Sequence, residues 1–432
     1  MQLYSTNNKN NLVDIKEAVF KSLPADKGLY MPSHIPTLST SFLKDLKQYS
    51  FQDIAFEVCK ALFHSRIPEH DLKDIVEKSI TFPAPLIELE EHQFILELFH
   101  GPSLAFKDFG ARFMAQLMSY FLKNEDKKLT ILVATSGDTG GAVASGFYET
   151  EGIEVVILYP SGKVSDLQEK QLTTLGKNIT ALEVNGTFDD CQALVKQAFL
   201  DKDLNEKYNL SSANSINIAR LIPQSFYYLE AYKQLPNHEL PTVFCIPSGN
   251  FGNLTAGLLV QRMGLTVEKF IAATNINDVV PNYLNSGEFH PRPSERTISN
   301  AMDVGNPSNF VRMLDLYGST WNIVKDHIVG YSFDDATTRK TIKEVYEQKS
   351  YVLCPHTAVG YHAAKRFQKD YFRANIITLA TAHPSKFVDV VEEAIQDKVV
   401  ISERLARLAE REKVSIEMDI TFDNFKAWLT ER

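Results

Sequence analysis

Six short apolar runs recur along the chain, and they constrain its fold more than anything else in the sequence. They are LTILVA (129–134), IEVVILY (153–159), ITALEV (179–184), TVFCI (242–246), FIAAT (270–274) and NIITLA (375–380). None alternates apolar with polar, so each strand must be covered on both faces, the condition of a parallel sheet rather than a half-wet antiparallel one. Between most of them lie amphipathic stretches such as DLQEKQLTTLG and DCQALVKQAFL, which read as the covering helices. The class is therefore α/β, and the strand count with its long middle points to two such open sheets flanked by helices. Residues 1–92 instead carry helical patterns, LVDIKEAVFKSL and SFQDIAFEVCKALF, broken by proline-rich joints, and read as a mostly helical N-terminal unit. The expected division is 1–92, then 93–215, then 216–432 ending in a helical tail.

Composition excludes several classes of function. A net charge of −9 argues against an electrostatic grip on nucleic acid or anionic lipid. No apolar stretch approaches the ~20 residues of a membrane span, and MQLYSTNNKNNL carries no targeting pattern. The four cysteines are far apart, as in a reducing compartment, so a cytoplasmic location is expected. His356 and His362 near Cys354 lack zinc-ligand spacing, and no metal is expected.

In an α/β fold, ligands sit beyond the C-terminal ends of strands, so the residues after each run are the candidates. After LTILVA comes Thr135-Ser136-Gly137-Asp138-Thr139, a hydroxyl- and glycine-rich turn able to present N–H groups to a carboxylate or phosphate. Its plainer reading is an ordinary turn in which Asp138 or Thr139 caps a helix. After TVFCIP comes Ser248-Gly249-Asn250-Phe251-Gly252-Asn253, opening a helix whose dipole favours a dianion. No P-loop and no G-x-G-x-x-G accompanies it, so a phosphate monoester fits better than a nucleotide, with a plain tight turn as the alternative. After NIITLA stands Thr381, either a donor to a ring nitrogen or merely the start of the next helix. In NSINIARLIPQ (214–224), Asn217 and Arg220 are one i,i+3 step apart, a fork for an anion or else a solvated helix face.

One lysine stands apart. In HGPSLAFKDFG (100–110), Lys107 shares a helix face with Gly110, Ala111 and Met114, about 100° from the polar stripe of Asp108, Arg112, Gln116 and Ser119. A surface lysine belongs on the stripe; this one either snorkels past Met114 to water or points at something enclosed. An inward amine, a phosphate cradle without a nucleotide signature, a strand-tip hydroxyl and a second anion-friendly turn share one explanation. It is pyridoxal phosphate, held as a Schiff base on the lysine.

These segments also carry a resemblance. ELFHGPSLAFKDFGARFMAQLM, ATSGDTGGAVA, NSINIAR, PSGNFGNLTAGLL, SNAMDVGNPSNF and TAHPSKF resemble the blocks of the threonine synthases, within the tryptophan-synthase-β-like, fold type II pyridoxal-phosphate enzymes. The likeness runs nearly end to end and includes GLYMP (28–32). It implies Lys107 as the cofactor lysine and Ser248 to Asn253 as the cofactor-phosphate loop. It further implies Thr381 at the ring nitrogen and Asp138 beside the ring, where many fold type II enzymes have asparagine. Thr135, Ser136, Gly137 and Thr139 would hold the substrate carboxylate, and Asn214, Asn217 and Arg220 its phosphate, with Lys163 a further candidate. The implied reaction is the lyase step from O-phospho-L-homoserine and water to L-threonine and phosphate, the last of threonine biosynthesis. A monomer is preferred over a homodimer. A dehydratase or β-replacement enzyme would keep Lys107 and the glycine loop without needing a second phosphate site, and a pyridoxal-phosphate-binding sensor would keep both without turnover.

Overall fold

A computed structural model describes residues 1–63, 66–123, 125, 128–135, 137–370 and 373–431. All six apolar runs are strands, and they divide between two sheets. The five-stranded sheet is wholly parallel, in the order Ile416–Met418, Ile179–Val184, Ile153–Pro160, Leu129–Ala134, Asn209–Ser212. The six-stranded sheet runs Ile328–Ser332, Lys269–Thr274, Thr242–Pro247, Asn375–Ala380, Gln93–Glu97, Leu86–Glu90, parallel except for its last pair. The central strands are buried along almost their whole length, because helices cover both faces. The chain crosses between the sheets: Gln93–Glu97 joins strands that come far later, and Ile416–Met418 returns to the earlier sheet.

The N-terminal stretch is mainly helical but adds a small antiparallel sheet of Gln2–Ser5, Asn8–Asp14 and Tyr30–Pro32, which the helical periodicity of LVDIKEAVFKSL did not signal. Its helix begins only at Ile15, where the Asp14 side chain accepts from the Glu17 amide.

Three neighbouring strands of the larger sheet, Gln93–Glu97, Asn375–Ala380 and Thr242–Pro247, run the same way. Their C-terminal tips therefore lie side by side, about 5 Å apart from strand to strand. The tips lead to the Lys107 segment, Thr381 and the Ser248 loop. The helix Lys107–Leu122 begins on the lysine itself and buries Phe109, Phe113, Met114, Leu117 and Met118 completely. Each such side chain contributes about 1.5–3 kcal/mol of burial, so the start of this helix is firmly fixed. Asp108 departs from the expected polar stripe. It is fully buried, because the turn at Gly101–Ser103 folds back onto it and the Ser103 amide donates to its Oδ2 at 2.8 Å.

Candidate active site

Lys107 is placed by a contact between distant parts of the chain. Ala105 and Ala382 form an antiparallel bridge, the Phe106 amide donates to the Thr381 carbonyl at 2.9 Å, and the His383 amide donates to Leu104 at 3.0 Å. Leu104 holds a φ of 59°, a strained left-handed conformation worth about 1–3 kcal/mol that the two hydrogen bonds offset. The bridge sets Lys107 beside the strand tip that carries Thr381, which is itself 6% exposed. Behind the bridge lies a cavity of about 720 Å³ lined by Glu97, Phe99, Leu104, Tyr351 and His383; Lys107 does not line it.

The lysine faces a buried cluster of charge. Its side chain is 18% exposed, and its Nζ lies 3.9 Å from Asp138 Oδ2. Asp138 is the first residue of the helix Asp138–Phe147. Its Oδ1 accepts from Lys386 Nζ at 2.8 Å and from Gln168 Nε2 at 2.9 Å. Lys386 is almost fully enclosed and also donates to the Ser103 carbonyl at 2.8 Å. Burial pushes the Lys107 amine below its ordinary pKa; Asp138 opposes that, while Lys386 and Arg220 add to it. For Asp138, burial would raise the pKa, but Lys386 and Lys107 outweigh it and hold the carboxyl well below the usual range. Asp108 has no such partner, and burial pushes it up to about 6 against the hydrogen bonds from Ser103. His356 is pushed down to about 4 by burial. Its Nε2 accepts from the Ala301 amide, and its Nδ1 has no partner among the described residues.

The turn after Leu129–Ala134 is held by Thr135 rather than by a cap from Asp138 or Thr139. Thr135 Oγ1 accepts from the amides of Gly137 at 3.0 Å and Gly140 at 2.9 Å. Gly137 has a φ of 136°, and a Cβ there would meet the Gln168 amide group at 2.7–2.8 Å, so the turn needs glycine. Thr139 is half-buried on the helix that follows, and Ser136 lies outside the described residues.

The loop after Thr242–Pro247 meets the helix Gly252–Arg262 through Phe251, which is left-handed at φ 59°. Ser248 Oγ donates back to the Ile246 carbonyl. A Cβ on Gly249 would come within 2.7 Å of Met302 Cα, so the loop packs directly on the SNAMDVG segment. Asn250 ties neighbouring loops together: its Nδ2 donates to Ser215 Oγ at 2.7 Å, and its Oδ1 accepts from the Ser308 amide. Asn253 Oδ1 accepts from Tyr227 and Tyr228, while its buried Nδ2 has no partner among the described residues. An unpartnered buried donor in the first turn of an eleven-residue helix fits a phosphate oxygen.

The fork expected from Asn217 and Arg220 does not form. Asn217 caps the short helix Ile218–Leu221, and its Nδ2 is spent on Val19, Ser22 and Ser212. Arg220 turns the other way, onto the Ala213 carbonyl and against Gly110. It is 4% exposed, and its Nε, like Asn214 Oδ1, has no partner among the described residues. Lys163 is exposed and acts on Asp190.

Sequence reasoning passed over four residues here. Lys386 and Gln168 read as ordinary helix residues, and His356 as a stray histidine. Arg312 is entirely buried and has no carboxylate partner among the described residues; it donates to the carbonyls of Tyr30, Ser215 and Ile216 and to Asn309 Oδ1. It thereby clamps the N-terminal sheet to the Ser215–Ile216 segment and to Asn309. Lys386 alone had a signal, its place six residues beyond the end of the strand Asn375–Ala380.

The residues present fit pyridoxal phosphate: an enclosed amine, a buried carboxylate beside it and an unfilled donor at a helix start. Comparison with known proteins agrees. A family profile described as pyridoxal-phosphate dependent enzyme matches residues 79–382. Profiles for the threonine synthase N terminus and C-terminal region match 2–80 and 357–428. The threonine synthase of Haemophilus influenzae is 43% identical over 99% of both chains, and that of Escherichia coli 44% identical over 95% of both. The crystal structure of pyridoxal-phosphate-bound threonine synthase from Brucella melitensis superposes with a TM-score of 0.94 at 32% identity, covering 100% of this chain and 99% of that one. The chain belongs to the threonine synthase family of pyridoxal-phosphate-dependent enzymes.

Proposed function

We propose that the chain converts O-phospho-L-homoserine and water to L-threonine and phosphate, and that it does so in the cytoplasm as a monomer. The observation that carries this reading is the enclosed Lys107 amine, set among strand tips and facing Asp138 without bonding to it. Pyridoxal phosphate, when bound, supplies the electron sink that lets protons leave the carbons next to the substrate amine.

Lys107 would hold the cofactor, and its amine would move protons between adjacent substrate carbons. Its depressed pKa favours the unprotonated amine that both tasks need. The amides of Gly249 to Asn253, with Asn253 Nδ2, bind the cofactor phosphate. The Thr381 hydroxyl would be a neutral partner for the cofactor's ring nitrogen, and Asp138 would stand beside the cofactor. The turn 135–139 orients the substrate carboxylate. Asn214 and Arg220 take the substrate phosphate, and the spent amide of Asn217 removes that residue from the set. The four cysteines are free and buried, consistent with a reducing compartment. Among the described residues, no helix is long and apolar enough to cross a membrane.

The deciding experiment mixes the cofactor-loaded protein with O-phosphohomoserine and assays phosphate and threonine together. Equal release of both is expected; phosphate with a keto acid instead would assign an elimination. Lys107→Ala is expected to abolish turnover and the long-wavelength absorbance of the bound cofactor, and retained turnover removes Lys107 from its role. Arg220→Ala is expected to raise KM on the order of 100-fold, the loss of a charge-assisted contact of about 3 kcal/mol. An unchanged KM moves the phosphate site elsewhere.

A further inference from the structure

Two lysines approach one carboxylate in this site, and they do so unequally. Lys386 Nζ lies 2.8 Å from Asp138 Oδ1, which Gln168 also binds. Lys107 Nζ stops 3.9 Å from Oδ2, beyond hydrogen-bond reach. Lys386 is fixed from behind by the Ser103 carbonyl, and its turn, Pro384–Phe387, is capped by His383, whose own amide bonds to Leu104 in the Lys107 segment. The tight partner of Asp138 is thus held by the same staple that positions Lys107.

This matters because a carboxylate bonded directly to the Lys107 amine would stabilise its ammonium form and quench it as a nucleophile. We propose that Lys386 is a positioning residue for the reaction: it takes the Asp138 carboxylate for itself, holds it off Lys107, and so leaves the Lys107 amine free to lose its proton and attack a carbonyl carbon. The inference rests on the reading of Lys107 as the cofactor lysine. The groups acting on that amine are Asp138 from the neighbouring helix, Lys386 from the 384–387 turn and Arg220 from the 218–221 helix. His356, on the 355–370 helix, is coupled to the same cluster. Asp108, on the lysine's own helix, binds Ser103 and acts on Lys386 only through space. The direction of the Lys107 shift agrees, since Lys386 lowers it and Asp138 raises it.

The test reads the amine itself, without turnover. The full-length chain, freed of cofactor, is treated with acetic anhydride across a series of pH values, and acetylation of Lys107 is followed by peptide mass. Lys386→Met is expected to move the midpoint of Lys107 reactivity upward by about one pH unit or more, roughly a tenfold lower rate below the midpoint. Lys386→Arg, which keeps a cation there, is expected to restore it. An unchanged or lowered midpoint in Lys386→Met overturns the proposal. If Lys386→Met does not yield folded protein, Lys386→Met/Asp138→Asn removes the pair as a unit and leaves no unpaired charge. Its midpoint is expected to stay near that of the unaltered chain, and a displacement of more than about one pH unit overturns the proposal. The cofactor-lysine reading fails separately, through retained turnover in Lys107→Ala.

Discussion

Asp108 and Asp138 are two buried carboxylates with opposite fates. Each stands in the first turn of a helix, where the dipole favours negative charge. Asp138 has the two lysine side chains Lys386 and Lys107 and an amide around it and is held ionised. Asp108 receives one backbone amide, leaves Oδ1 unpartnered and is pushed up to about 6. Burial raises the pKa of both, so the partner, and not the burial, decides which carboxylate carries charge. When environments push such a pair apart, the ionised member is the one able to steer a neighbouring amine.

The strongest way to break this contrast is Asp138→Ala, which leaves Lys386 buried without its counter-charge. A loss of about 3–5 kcal/mol in urea unfolding is expected; a loss below about 1 kcal/mol would mean that the pair is solvated. Asp108→Asn probes the other side through pH. The folded-state pKa of Asp108 lies above its unfolded value, so the folded chain binds more protons between about pH 4 and 6. The contribution of this group therefore falls as pH rises through that window, by up to about 3 kcal/mol, and Asp108→Asn removes the slope. His356, whose folded-state pKa is depressed, acts oppositely in the same window, so the quantity to measure is the difference between Asp108→Asn and the unaltered chain. No slope in that difference would place Asp108 in contact with water. The smallest expected effect is Gln168→Leu, which removes one charge-assisted bond to Asp138 Oδ1 for about 1.5–3 kcal/mol and leaves Lys386 in place. A loss as large as that of Asp138→Ala would assign the dominant hold on the carboxylate to Gln168.

The central strands were legible because runs such as LTILVA and TVFCI are apolar on both faces, and that pattern has few other uses in a soluble chain. Three of the strands outside those runs lack it, whereas Gln93–Glu97 (QFILE) is apolar on both faces and went unmarked. Asn209–Ser212 reads NLSS, Ile416–Met418 is three residues long, and Asn8–Asp14 is exposed except at Val13. Such strands are specified by the partner they join. Lys107 was legible as a lysine off its helix's polar stripe, yet the same reasoning put Asp108 on an open face, since nothing in the helix period announces that Gly101–Ser103 folds over it. Lys386 shows the limit most clearly: TAHPSKF displays the residue, while its enclosure depends on segments far away in sequence. Asn217 was given to a ligand because local spacing cannot see Ser22 and Val19 waiting for its amide.

The bridge between Ala105 and Ala382 joins residues roughly 280 positions apart. Closing a loop of that length costs only a few kcal/mol of entropy, because the cost grows with the logarithm of length. In time the demand is heavier. During synthesis at about 5–20 residues per second, the early sheet and the Asp138 turn emerge well before the strand that carries Thr381. The Lys107 amine therefore acquires its seat and its neighbouring ammonium, Lys386, only after the segment around residues 375–387 has been made.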